Sequence, residues 1–211
     1  MKLRLYNTAV SSPSFRVRIA LGLKGLSYEY MAVDLKKRAH KSPDYLALNP
    51  QGLLPTLEVD GVRLTQSAAI IEWLDEVFPA PPLYPRDPVL RAKVRAIASV
   101  VATDIAPLHT MRVSLAVRND LGQGDEGLRA WVHRFMSDGL SAVETLLAEF
   151  SGPYACGDQP TAADFYLVPA MRTAKAVGVD FARLPRVAAA TGHAMEQPAF
   201  AAAAPEKQPD A

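Results

Sequence analysis

Hydrophobic and polar positions alternate over Leu3-Arg4-Leu5-Tyr6, the period of a half-buried strand. The period then lengthens: Val17, Ile19, Ala20, Leu21 and Leu23 mark a helix that Gly25 can end, with Lys24 in its last turn. Residues 28–33 read as a second strand, so the chain opens β-α-β, a unit whose right-handed crossover joins parallel strands. A polar loop over 34–41 leads to a short helix signalled by Ser42-Pro43. Residues 54–59 and 62–64 then flank Asp60-Gly61, a strong short-range hairpin signal. Ser67 is placed as the N-cap of a third helix that runs through Leu74. Prolines 79, 81, 82, 85 and 88 crowd the next stretch, and beyond them no strand pattern survives. Helical periods cover 89–119, 128–150, 161–177 and 184–197, with a flexible loop at 121–127. Pro107 should kink the first of these, because it removes a backbone donor. Thr161-Ala162-Ala163-Asp164 has capping-box spacing with Asp in place of Glu, a structural role. The tail beyond Phe200 has little to pack and is expected to be loose.

This order predicts an α/β N-terminal domain over 1–80, a small four-stranded mixed sheet with helices against it, resembling thioredoxin-like folds. A proline-rich linker over 81–88 and an all-α domain over 89–211 complete the chain. Composition narrows the function classes. The 211 residues, 49% hydrophobic and 21% charged, suit an ordinary globular protein. A net charge of +1 gives no basic excess of the kind that accompanies nucleic-acid binding. No apolar run is long enough for a membrane span, and the N-terminus lacks the apolar core of a signal peptide. The single cysteine, Cys156, rules out an internal disulfide and any CxxC metal or redox pair; it reads as a small buried residue. The chain therefore reads as cytoplasmic, with no metal site.

Candidate chemistry concentrates at Ser11-Ser12-Pro13-Ser14-Phe15-Arg16-Val17-Arg18, between the first strand and the first helix. Ser12 suits the N-cap and Pro13 the first helical position. Ser11, just ahead, would hold its hydroxyl at the positive end of the helix, where an anion is favoured and a hydroxyl can donate to a thiolate. The plainer alternative is that Ser11, Ser12 and Ser14 merely cap a helix. Trp73 and Trp131 read as core residues.

The order of elements, the serine turn, Leu54-Pro55 and Gln66-Ser67-Ala68-Ala69-Ile70 resemble the cytosolic glutathione transferase superfamily across nearly the whole chain. The run from Ser11 to Leu21 resembles its zeta class, the maleylacetoacetate isomerases, and within that class the bacterial glutathione-dependent maleylpyruvate isomerases. Two positions depart from the zeta pattern: Pro13 stands where a cysteine is usual, and Val10 where an arginine is usual. The turn thus has no protein thiol, and glutathione must supply the nucleophile.

The resemblance implies roles for particular residues. Ser11 would stabilise the glutathione thiolate, with Ser12 and Ser14 in reserve. Leu54-Pro55 would be cis, turning the Leu54 backbone outward to the cysteinyl unit. Gln66 and Ser67 would hold the γ-glutamyl carboxylate, while His40 and Gln51 would face the glycine end; without the resemblance His40 reads as a solvated loop histidine. Asp104 would reach the γ-glutamyl ammonium of a partner in a homodimer. His109 and Arg112, three apart and so on one helix face, would meet a small doubly carboxylated cis-enedione, together with Thr110 and Arg172. His109-Thr110 replaces the Gln-Asn of the zeta pattern. Arg16 and Arg18, beside the serine turn, could bind substrate or make structural ion pairs, and structure is the favoured reading.

The implied reaction is isomerisation of maleylpyruvate to fumarylpyruvate in gentisate breakdown, with maleylacetoacetate as the alternative substrate. A general conjugating transferase and a non-catalytic module of the same fold are further alternatives. The retained Ser11 and Gln66-Ser67 weigh for an enzyme, and the absence of a turn cysteine weighs against a thiol-disulfide oxidoreductase.

Overall fold

A computed structural model describes residues 1–211, which divide into two compact units. The first unit comprises Met1–Leu83 together with Glu196–Ala211, the second Tyr84–Met195.

In the first unit, strands β1 (Leu3–Asn7), β2 (Glu29–Ala32), β3 (Thr56–Val59) and β4 (Val62–Thr65) form one mixed sheet in the order β2-β1-β3-β4. β1 runs parallel to β2 and antiparallel to β3, and β3 pairs antiparallel with β4. Leu5 sits opposite both Tyr30 and Leu57, and its alternation with Tyr6 puts Leu3, Leu5 and Asn7 on the buried side. Asp60 and Gly61 both take positive φ (47° and 89°), the backbone a two-residue hairpin needs to follow the strand twist.

Helix α1 (Ser12–Leu23) packs against α3 (Ser67–Val77) and α9 (Pro198–Ala203). The unbroken run Ser14–Leu21 of α1 is buried, Arg16 and Arg18 included, so its sequence carries no one-sided apolar stripe. α2 (Pro43–Leu48) is capped by Ser42, whose hydroxyl accepts from the Tyr45 amide at 3.2 Å.

The tail expected to be loose is ordered. Phe200 is fully buried, and α9 approaches α1 so closely that a Cβ at Gly22 would lie 3.3 Å from the Ala199 Cβ. The small residues around Phe200 permit that approach, so the segment joins the sheet unit and not the helical one, shortening the expected 89–211 domain at its end. The proline-rich stretch is also pinned. Leu83 and Tyr84 are buried, and Asp75 Oδ1 accepts from the Leu83 amide at 2.6 Å and from Lys24 Nζ at 3.0 Å. Lys24 donates in addition to the carbonyls of Phe78 and Pro81.

The second unit is helical: α4 (Pro88–Ser99), α5 (Met111–Leu115), α6 (Gly124–Leu146), α7 (Ala162–Val177) and α8, whose span Pro185–Glu196 runs to the unit's edge. The helix expected over 89–119 is broken rather than kinked. After α4 the chain widens into a π-helical segment, Val100–Ile105, tightens into a 3₁₀ turn, Ala106–His109, and becomes extended at Thr110 (φ −61°, ψ 154°) before α5. Pro107 explains the tightening, since its ring and missing N–H cannot continue an α-helical ladder. A second π-helical turn, Ala116–Asp120, follows α5, and α6 begins at Gly124, inside the expected loop. Gly139 of α6 lies against the first π segment; a Cβ there would fall 2.4 Å from Ile105 Cγ1. Glu144 of α6 receives the Arg186 and Val187 amides at the start of α8, a carboxylate at a helix N-terminus. Thr161 and Asp164 form the expected capping box at α7. No helix is long and apolar enough to cross a membrane.

Candidate active site

The β1–α1 turn presents the three serines very differently. The Ser11 amide donates to the Thr8 carbonyl at 3.2 Å, and the Ser11 carbonyl opens the helix by accepting from Phe15 at 2.9 Å. Ser11, not Ser12, is therefore the N-cap, and Pro13 is the second helical residue. The Ser11 hydroxyl accepts from the Ser14 amide at 3.2 Å. Accepting through one lone pair leaves its proton free to donate at the positive end of α1. Ser12 is half-buried. Ser14 is fully buried, and its Oγ meets no hydrogen-bond partner.

A second cluster surrounds Leu54-Pro55, whose peptide bond is cis. The Leu53 carbonyl is braced by Tyr45 Oη at 2.8 Å and Asn49 Nδ2 at 2.9 Å. Gln51 is held at its amide by Asn49 Oδ1 (3.1 Å) and at its carbonyl by Lys41 Nζ (3.2 Å). Its side-chain oxygen accepts from Gln66 Nε2 at 2.7 Å, so two glutamines fifteen residues apart in the chain are in direct contact. His40 is buried, and its Nδ1 meets no partner. Burial, with Lys41 and Arg38 beside it, pushes the His40 imidazole below its usual pKa and favours the neutral ring.

Gln66 occupies the N-cap of α3 with φ +68°, a left-handed backbone that costs a non-glycine residue energy and often marks a functional position. This displaces Ser67, the expected cap, to the first helical position. Ser67 is buried, with its Oγ 3.5 Å from Arg16 Nη1, while Ala68 and Ala69 beside it are exposed. The first turn of α3 thus opens to solvent at its amide end.

In the helical unit, Asp104 is exposed on the first π segment and accepts from Thr103 Oγ1 at 3.1 Å. His109 closes the 3₁₀ turn, and Thr110 Oγ1 donates to the Pro107 carbonyl at 3.3 Å. The extended backbone at Thr110 interrupts the helix between His109 and Arg112, so these two do not share a helix face as the spacing implied. His109 lines a cavity of about 390 Å³ with Arg118, Arg129 and Thr173. Arg112 and Arg172 are exposed and do not line it. Arg118 pairs with Asp125 at 2.7 Å. No group of three His, Cys, Asp or Glu side chains is placed to hold a metal ion.

Residues 10–77 match the family described as glutathione S-transferase, N-terminal domain, and residues 129–191 its C-terminal domain. The chain is 43% identical to a maleylpyruvate isomerase of Ralstonia over 210 residues, covering 99% of each chain. It is 43% identical to a maleylacetoacetate isomerase of Pseudomonas aeruginosa over 211 residues, covering 99% of this chain and 98% of that one. A holo structure of a maleylpyruvate isomerase, a bacterial glutathione transferase in the zeta class, superposes with a TM-score of 0.96 at 43% identity and 99% coverage of both chains. The chain belongs to the zeta class of glutathione transferases. Solved maleylacetoacetate isomerases similar to this chain hold bound GSH, glutathione, in two cases, and dicarboxyethyl glutathione with citrate in a third.

Within this glutathione transferase, the sheet unit brings Gln51 and Gln66 together and joins the starts of α1 and α3 through Arg16 and Ser67. Arg16 is buried beside the start of α3, a placement with no local signature in the sequence. Arg118 and Arg129 line the cavity, and the break at Thr110, which decides which side chains the cavity receives, has no local signature either. Arg18 is structural as expected, but through carbonyls rather than an ion pair: it donates to the backbone of Thr8, Ala9 and Ala203 and to Asn7 Oδ1.

Proposed function

We propose that this glutathione transferase is a cytoplasmic, glutathione-dependent cis-trans isomerase that converts maleylpyruvate to fumarylpyruvate in aromatic catabolism. The observation that carries the reading is Ser11: an N-cap hydroxyl with a proton to donate, in a turn where Pro13 leaves no protein thiol to compete. The sheet unit fits glutathione. It offers a buried histidine nitrogen without a partner and an outward amide end on α3.

When bound, glutathione supplies a thiolate that adds to one alkene carbon of the enedione, allows rotation about the resulting single bond and leaves as the trans double bond re-forms. Ser11 would hold that sulfur in its ionised form by donating a hydrogen bond from its hydroxyl, helped by the positive end of α1. Ser12 is the reserve donor; buried Ser14 is the weakest of the three. Gln66, Ser67 and the first amides of α3 hold the γ-glutamyl carboxylate, and the Leu54 backbone ahead of Pro55 pairs with the cysteinyl unit. His40 and Gln51 meet the glycine end. On the helical unit, Arg112 and Arg172, both exposed and outside the cavity that His109 lines, are the proposed carboxylate partners, with His109 and Thr110 the proposed groups for negative charge that develops on the substrate oxygen. The same reading makes the protein a homodimer, with Asp104 answering the γ-glutamyl ammonium bound to the partner.

The deciding experiment follows the enedione absorbance of maleylpyruvate with purified protein, with and without glutathione, beside Ser11→Ala. Glutathione-dependent conversion to fumarylpyruvate, weakened in the variant, supports the reading, and glutathione-independent conversion overturns the mechanism. Equal identity to relatives of both names keeps maleylacetoacetate as the second substrate to assay.

A further inference from the structure

The two residues that lead toward Ser11 are held by groups far away in the sequence. Thr8 and Ala9 are both buried in the β1–α1 turn. Arg18 takes their acceptors: its Nη1 reaches the Thr8 carbonyl at 3.1 Å and its Nη2 the Ala9 carbonyl at 3.0 Å. Asp210 takes their donors. Its carboxylate accepts from Thr8 Oγ1 at 2.8 Å, from the Ala9 amide at 3.2 Å through both oxygens, and from the hydroxyl of Tyr30 on β2.

The same C-terminal segment also engages the arginine, whose Nε donates to the Ala203 carbonyl at 3.0 Å. A cation and an anion thus divide the polar groups of one short turn, and residues 203–210 complete the arrangement. The Thr8 carbonyl that Arg18 grips also receives the Ser11 amide. Any shift of Thr8 is therefore passed directly to Ser11.

We infer that Asp210 is a positioning residue for the reaction, a clasp that fixes the turn and so aims the Ser11 hydroxyl at the glutathione sulfur. This rests on the role proposed above for Ser11. Burial works against ionisation of Asp210, but the hydrogen bonds from Tyr30, Thr8 and Ala9 outweigh it and hold its carboxyl below the ordinary value. The group therefore stays an anion, the form that accepts every donor in the turn. Loosening the turn should damage turnover more than glutathione binding, because the α3 end that holds the γ-glutamyl group is untouched. A displacement on the order of 1 Å at a reacting group can cost as much as about a hundredfold in rate.

The test compares Asp210→Ala, Asp210→Asn and Asp210→Glu with the wild type in two measurements. Amide hydrogen exchange reads the turn itself, and steady-state kinetics separate kcat from the KM for glutathione. Asp210→Ala is expected to speed exchange over residues 8–14 while leaving β3 and α3 unchanged. It should lower kcat about tenfold with the glutathione KM within about twofold. Asp210→Asn keeps one acceptor oxygen and should fall between, and Asp210→Glu should recover most of kcat. Unchanged exchange in the turn, or faster exchange with unaltered kcat, would overturn the inference. So would faster exchange across β3 and α3 as well, since that describes a general prop and not an aimed turn. Wild-type protein inactive on both enediones would sink the isomerase reading, and the exchange comparison would still decide whether Asp210 holds the turn.

Discussion

Arg16 Nη1 on α1 lies 3.5 Å from Ser67 Oγ on α3, so a buried guanidinium links the starts of the two helices that carry the candidate thiol and carboxylate partners. At that length the bond is at the outer limit of hydrogen bonding, and the Ser67 hydroxyl can still serve an incoming carboxylate. Ser67→Ala is therefore expected to act on binding. Loss of a hydrogen bond to a charged group costs about 1.5–3 kcal/mol, which corresponds to a glutathione KM raised about tenfold or more with kcat little changed. A kcat loss as large as the KM change would contradict the assignment.

The serines of the turn separate by stability as well as by rate. Ser11→Ala removes both an N-cap and the proposed thiolate donor, so it should cost about 1 kcal/mol of stability and lower kcat by at least tenfold. Ser14→Ala deletes a buried hydroxyl that has no partner, so its stability should be unchanged or raised by up to about 1 kcal/mol. Urea denaturation of the two variants, read with their turnover, ranks the serines without reference to any relative.

Gly139→Ala tests the packing of the broken helix. The added methyl would fall 2.4 Å from Ile105 Cγ1 and 2.5 Å from its Cδ1, too close for either side chain to keep its place. Overpacking of this kind costs about 1–3 kcal/mol. A denaturation midpoint equal to the wild type would mean that the π segment yields freely.

Asp164 gives a pH signature. Burial raises its carboxyl pKa to about 6 despite hydrogen bonds from Thr161 and Ala155. A carboxyl whose pKa is higher in the folded chain binds more protons there than in the unfolded chain. Its stability contribution is therefore complete below the ordinary aspartate value and is lost as pH rises through about 6. Relative to Asp164→Asn, the wild type should lose stability between about pH 4 and pH 6; thermal melts across that window decide it. Asp164→Ala, which strands the Thr161 and Ala155 donors, should cost about 2–4 kcal/mol near pH 4 and less as pH rises through about 6.

Features settled within a few residues were legible in the sequence. The Asp60-Gly61 hairpin, the Ser42 cap and the Thr161–Asp164 box each follow from local backbone chemistry. The cis bond at Leu54-Pro55 came from family resemblance, since local chemistry favours trans. Adjacent serines are equally able to cap, and the pattern points to Ser12, whereas the bond from the Ser11 amide to the Thr8 carbonyl accompanies the cap at Ser11. Pro107 reveals that a helix is disturbed but not how the chain recovers, so the pattern predicts a kink where the chain breaks at Thr110. The clasp of Asp210 on Thr8 spans most of the chain, and nothing in the local pattern announces it.

The return of residues 196–211 to the sheet unit has a consequence for biogenesis. A ribosome releases the chain from its N-terminus, and domains generally fold in that order. Here Ser11, Gln66 and the whole sheet emerge first, yet α9 and Asp210 must follow the entire helical unit before α1 is covered. The unit whose strands are made before the helices is thus the unit that finishes folding after them, and no cut near residue 83 would free it intact.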